Sequence, residues 1–105
     1  MKLIVVLSIA EYQERVARLL HEAGIVRFST VNITGYKKGK ERASLNWFGR
    51  GASGAKTNSL MLFSFAPEEI VNDAIRRIEH CNAECGDLFP VHGFVLKVEN
   101  FSKFI

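Results

Sequence analysis

The sequence predicts a single α+β domain in which the elements follow the order β-α-β-β-α-β. Three observations predict it. Two apolar runs of strand length, Leu3–Leu7 and Leu60–Phe65, open the two halves of the chain. Each is followed by a stretch whose apolar residues recur at helical spacing. At 105 residues the chain is long enough for one core and too short for two.

The first strand, Leu3-Ile4-Val5-Val6-Leu7, is continuously apolar, as a central strand buried on both faces would be. The first helix is marked by Tyr12, Val16, Leu19, Leu20 and Ala23, with Gly24 as its stop. Ser8 and Glu11 have the spacing of a capping box at its start. A second strand is expected from about Ile25 to Tyr36, alternating over Val31, Asn32, Ile33 and Thr34. The third is Leu60–Phe65. Pro67 suits the first turn of the second helix, and Glu68 and Glu69 favour its positive end. Ile70, Val71, Ala74, Ile75, Ile78 and Cys81 give that helix an apolar face, and Gly86 is its expected end. The last strand is expected between His92 and Phe101.

This order is the split-βαβ, ferredoxin-like arrangement: an antiparallel four-stranded sheet with two helices on one face and a long loop between strands 2 and 3. The helices cover one sheet face, yet the first and third strands are apolar on both. A bare apolar face of that size is an exposed patch of several hundred Å². Burial against further copies removes it, so a homo-oligomer is expected.

Composition narrows the function classes. Hydrophobic residues at 48% and charged residues at 24% exclude a disordered chain. The apolar run after Lys2 is interrupted at Ser8 and closed at Glu11, too short for a membrane span and without a leader's cleavage pattern. Two cysteines, Cys81 and Cys85, suggest no disulfide framework, and a reducing cytoplasm is the expected location. The charge is unevenly placed. Between Tyr36 and Lys56 six basic residues (Lys37, Lys38, Lys40, Arg42, Arg50, Lys56) face only Glu41, a net +5. The whole chain is +3, so the remainder is −2. A basic segment on a mildly acidic domain points to an anionic partner for that segment. The segment is also glycine-rich and far longer than a hairpin connection of about 2–5 residues. Lysine, arginine and glycine-exposed N–H groups together are what polyanions need.

The order of elements, Thr34-Gly35-Tyr36 leading into the loop and Arg50-Gly51-Ala52 within it resemble the P-II-like superfamily, typified by nitrogen regulatory protein P-II. Gly86-Asp87 falls where that family has its second, shorter ligand loop. Phe94-Val95, Val98-Glu99 and Lys103 follow its pattern at the end of the chain. The resemblance spans nearly the whole sequence. It implies a homotrimer with sites for a small anionic ligand in the clefts between subunits, an adenine nucleotide as in many members or another small ligand, and a long loop that docks on a membrane transporter, enzyme or regulator. It further implies ligand or partner contact for Ser29, Gly35, Lys37, Lys38, Lys40, Arg42, Arg50, Gly86, Asp87, His92 and Lys103. Departures are visible too. Gly54 stands where typical members carry a modifiable tyrosine, so control by uridylylation is not expected. The glycine- and lysine-rich second loop is replaced by Gly86-Asp87-Leu88-Phe89-Pro90-Val91-His92-Gly93.

The sequence holds other constellations too. Trp47-Phe48 is a docking plug, a stacking surface for a base, or a pair that folds back on its own domain or packs on a neighbouring subunit. His80, Cys81 and Cys85, with His92, offer soft and imidazole donors for zinc or copper(I), as in divalent-ion tolerance proteins of the CutA type. Cys81 also continues the apolar stripe, which favours packing over a metal. Gly49–Lys56 is no phosphate-binding P-loop, because Ala55 occupies the lysine position. RNA-recognition domains share the element order, but Leu60–Phe65 lacks their basic and glycine-spaced aromatic signature. No nucleophile elbow or zinc-protease motif is present, so the expected role is not enzymatic and not nucleic-acid binding.

Overall fold

The computed structural model describes residues 1–36, 56–85 and 89–103. The elements are β1 (Lys2–Ile9), a 3-10 turn (Ala10–Tyr12), α1 (Gln13–Ala23), β2 (Ser29–Tyr36), β3 (Lys56–Ala66), α2 (Glu68–Cys85) and β4 (His92–Lys97). One four-stranded sheet has the order β2-β3-β1-β4, and every neighbouring pair is antiparallel. This is the ferredoxin-like arrangement the sequence predicts.

Alternation along the strands sorts the side chains onto two faces. Ile4, Val6, Leu60, Leu62 and Ala66 join Val16, Leu19, Leu20 and Ala23 of α1 and Val71, Ala74 and Ile78 of α2 in one buried cluster. Both helices therefore cover the same side of the sheet. Residues of α1 at i, i+3, i+4 and i+7 are the ones that disappear into it, which is why the chain is helical there. Glu68 and Glu69 lie in the first turn of α2, and the carbonyl of Pro67 accepts from the N–H groups of Ile70 and Val71, both at 3.1 Å.

Four details depart from the sequence-based expectation. Ser8 does not cap α1: β1 runs on through Ile9, and the buried Ser8 hydroxyl donates to the Ile9 carbonyl at 3.1 Å. β2 begins at Ser29 rather than Ile25, because Ile25 belongs to the end of α1. Gly24 has φ 105°, its N–H bonds the His21 carbonyl at 3.0 Å, and the Ile25 N–H reaches Leu20 at 2.9 Å. This is a Schellman termination, and its apolar follower, Ile25, is buried in the core. β3 starts at Lys56, so Lys56, Thr57 and Asn58 are ladder residues and not loop. β4 ends at Lys97, short of Phe101.

A close approach seats α2 on β4. A Cβ on Gly93 would stand 2.8 Å from Ile78 Cδ1 and 2.9 Å from Ile75 Cδ1, so glycine lets the helix lie against the strand. Just before β4, Asn82 clamps the chain to α2: its Nδ2 donates to the Val91 carbonyl and its Oδ1 accepts from the Val91 N–H, each at 2.8 Å.

Candidate functional site

The strand register places the predicted residues that are described at two opposite ends of the sheet. At one end lie the close of β1, the close of β2 and the start of β3, from which the connection 37–55 departs. The start of β4 joins them, because His92 pairs with Leu7. Gly35 is buried in the last rungs of β2 opposite Thr57, and His92 is half-buried on the sheet face away from the helices. Asn32, Thr34, Asn58 and Ser59 form a polar recess here with Ala10 and Ile33. Lys37, Lys38, Lys40, Arg42, Trp47, Phe48, Arg50, Gly86 and Asp87 lie outside the described residues.

At the other end, β2 starts, β3 finishes and α1 has just terminated. Ser29 is here, exposed, about 20 Å along the strand from Gly35 at the usual rise per residue. It lines a hollow of about 530 Å³ with His21, Val26, Arg27, Phe28, Phe63, Ser64, Phe65 and Met1. That size falls within the range of about 300–1,000 Å³ typical of small-molecule sites. The floor is fixed from behind: the Ser64 hydroxyl, on the helix side of β3, donates to the Arg27 carbonyl and ties the α1–β2 connection to the sheet. The His21 ring lies against Phe28 with centroids 5.3 Å apart and planes at 46°. The chain leaves β4 at Lys97, opposite Lys2, so the tail carrying Lys103 also departs from this end. Lys103 itself is exposed.

One chain therefore does not bring Ser29 and Gly35 together. Of the residues lining the Ser29 hollow, the sequence singled out Ser29 alone. His21, Arg27, Phe28, Phe63 and Phe65 carried no motif; the local signal was Arg27-Phe28-Ser29 coming soon after the glycine that caps the first helix.

The second set of donors is arranged differently. Cys81 is half-buried and packs against the core cluster, while His80 is exposed with its Nε2 2.7 Å from Glu84 Oε1 on the same helix. The side chain of Cys85 lies outside the described residues. Among the described residues no three His, Cys, Asp or Glu side chains are grouped to hold a metal ion. Among them, too, no helix is long and apolar enough to cross a membrane.

Among the described residues, no layer covers the sheet face away from the helices. Cross-strand rows Leu96–Leu3–Phe65 and Phe94–Val5–Phe63–Ser29 run across it, followed by His92–Leu7–Met61–Val31. Val31, Phe65, Phe94 and Leu96 remain 43%, 40%, 37% and 48% exposed. Val5, Leu7, Met61, Phe94 and Leu96 line an open apolar trough at its centre.

No protein-family profile and no curated protein matches the sequence. Solved structures do. A P-II-like signalling protein from Thermus thermophilus superposes with a TM-score of 0.57 at 18% identity, over 90% of this chain and 82% of its own. CPII, a nitrogen regulatory PII-like protein from Thiomonas intermedia seen with ADP, AMP and bicarbonate, superposes at 0.60 and 17% identity. That match covers 96% of this chain and 94% of the other. Sheet order, helix placement and these two superpositions agree: the chain has the fold of the P-II-like signalling proteins.

Proposed function

We propose that this protein is a P-II-like cytoplasmic regulator, not an enzyme. It assembles as a homotrimer, binds a small anionic ligand of the adenine-nucleotide class between subunits, and acts on a protein partner, such as a transporter, through its basic segment Tyr36–Lys56. The observation that carries the proposal is the apolar sheet face. Eight side chains of β1, β3 and β4 (Leu3, Val5, Leu7, Met61, Phe63, Phe65, Phe94, Leu96) share it, and among the described residues no second layer covers it. A face of this kind is stable in water when other copies bury it.

Assembly also supplies what a single chain lacks. The Ser29 hollow with the nearby tail lies at one end of the sheet, and the basic segment with Gly35 and His92 departs from the other. Subunits packed sheet to sheet in a ring bring one copy's hollow beside the loop end of the next. A ligand seated between them contacts both, and so reports its presence to the loop. That the neighbour CPII is bound to ADP, AMP and bicarbonate supports this ligand class.

Two measurements test the proposal together: mass in solution by light scattering, and calorimetry with ATP, ADP, AMP and cyclic nucleotides. A trimer that binds one or more of these is the expected result. A monomer that binds none of them removes the proposal.

A further inference from the structure

The hollow at the α1–β2 junction has a charge pattern of its own. Its lining includes the guanidinium of Arg27 and the imidazole of His21, the hydroxyl of Ser29, and three phenyl side chains from Phe28, Phe63 and Phe65. None of its lining residues is acidic. Arg27 is exposed, and among the described residues its guanidinium has no carboxylate partner. Among the arginines of the helical layer, Arg76 and Arg77 both hold Asp73, at 3.0 and 2.9 Å, and Arg15 lies 4.4 Å over the Tyr12 ring, while Arg18, away from this hollow, is exposed and like Arg27 has no carboxylate partner among the described residues. At the end of α1 the carbonyls of Leu20 and His21 accept from the N–H groups of Ile25 and Gly24.

We propose that Arg27, with His21 beside it, is the specificity-determining residue of this hollow and selects ligands that carry a phosphate or other anionic group next to a planar ring. The rings of the hollow offer apolar surface to any base, and so discriminate poorly between a nucleoside and its phosphate ester. A planar guanidinium not engaged by a carboxylate supplies the difference, since it can donate two parallel hydrogen bonds to a phosphate. The Ser64 bond to the Arg27 carbonyl holds the backbone from which that side chain projects. The inference rests on the reading of this hollow as part of the ligand cleft.

Calorimetry of the full chain with adenosine and with AMP tests it, repeated for Arg27→Gln, Arg27→Lys and His21→Asn. AMP is expected to bind at least about tenfold more tightly than adenosine, the usual worth of a hydrogen bond to a charged group. Arg27→Gln brings the two affinities to within about twofold while solution mass and melting profile stay as in the parent, since the side chain is exposed. Arg27→Lys keeps part of the preference, and His21→Asn weakens it by a smaller factor. Should Arg27→Gln fail to fold, the other two variants carry the test. Adenosine and AMP binding equally well to the parent chain, or a preference that survives in every variant, overturns the inference and leaves the cleft in place. Absence of binding by both ligands overturns the cleft itself.

Discussion

Replacing Phe94 by alanine addresses the assembly directly. Phe94 sits in the middle of β4 on the open sheet face, in one row with Val5 and Phe63, and is 37% exposed in the single chain. A phenylalanine offers about 200 Å² of surface, so about 75 Å² of its ring is left for a neighbouring copy to bury. At about 25 cal/mol per Å² that is about 2 kcal/mol per copy. Three copies each lose this contact, about 6 kcal/mol for the trimer, which lowers the association constant by about four powers of ten. Sedimentation equilibrium across the micromolar range reads this as a shift from trimer toward monomer. Asn72→Lys, on the exposed side of α2, is the control and leaves the mass unchanged. Circular dichroism of the Phe94→Ala protein confirms that the fold persists. A parent chain that is monomeric throughout, or a Phe94→Ala protein with an unaltered dissociation curve, refutes the reasoning.

Three further outcomes follow from the fold. Asn82→Ala removes both hydrogen bonds that hold Val91 on α2 and lowers stability by about 1–3 kcal/mol in urea titration; an unchanged midpoint shows that the clamp is replaceable by water. Gly93→Ala pushes a methyl group against the tips of Ile75 and Ile78 and costs about 1–2 kcal/mol, much of it recovered when Ile78→Val is added, a cycle that fails if the two changes are additive. Asp73 accepts hydrogen bonds from Arg77 and Arg76, which hold its carboxyl below its ordinary value. Its contribution to stability is therefore complete above the unfolded-state value of about 3.9 and fades as pH falls through the lower folded-state value. Asp73→Asn flattens that part of the acid-unfolding curve, and parallel curves for the two proteins contradict the assignment.

In the proposed trimer, the sheet face that other copies cover also bears on how a signal travels. The basic segment leaves from β2 and returns into β3, and β3 contributes Met61, Phe63 and Phe65 to that face. In that trimer, a ligand that alters the packing of one subunit against the next acts on the strand into which the loop returns. Because Lys56, Thr57 and Asn58 are paired with β2, the base of the loop is held by ladder hydrogen bonds. Movement at the base requires unpairing those rungs.

Periodicity alone determined the order of the elements, the core faces of both helices and the two-sided apolar character of β1 and β3, because those signals are local: a buried helix face repeats every three to four residues and a strand apolar on both faces does not alternate. The charge excess between Tyr36 and Lys56 was equally plain, since it needs only counting. Tertiary structure decided the rest. Ile25 reads as strand by composition, yet a helix terminator and the core claim it; Ser8 has a cap's spacing but lies inside a strand. The clamp from Asn82 to Val91 joins residues nine apart through a side chain that has no pattern, and Gly93 is explained only by the isoleucines of α2 above it. The hollow is the clearest case. His21, Arg27 and Phe63 meet because a helix end, a connection and a distant strand fold to one corner, and proximity in space between such segments leaves no spacing in the sequence to read.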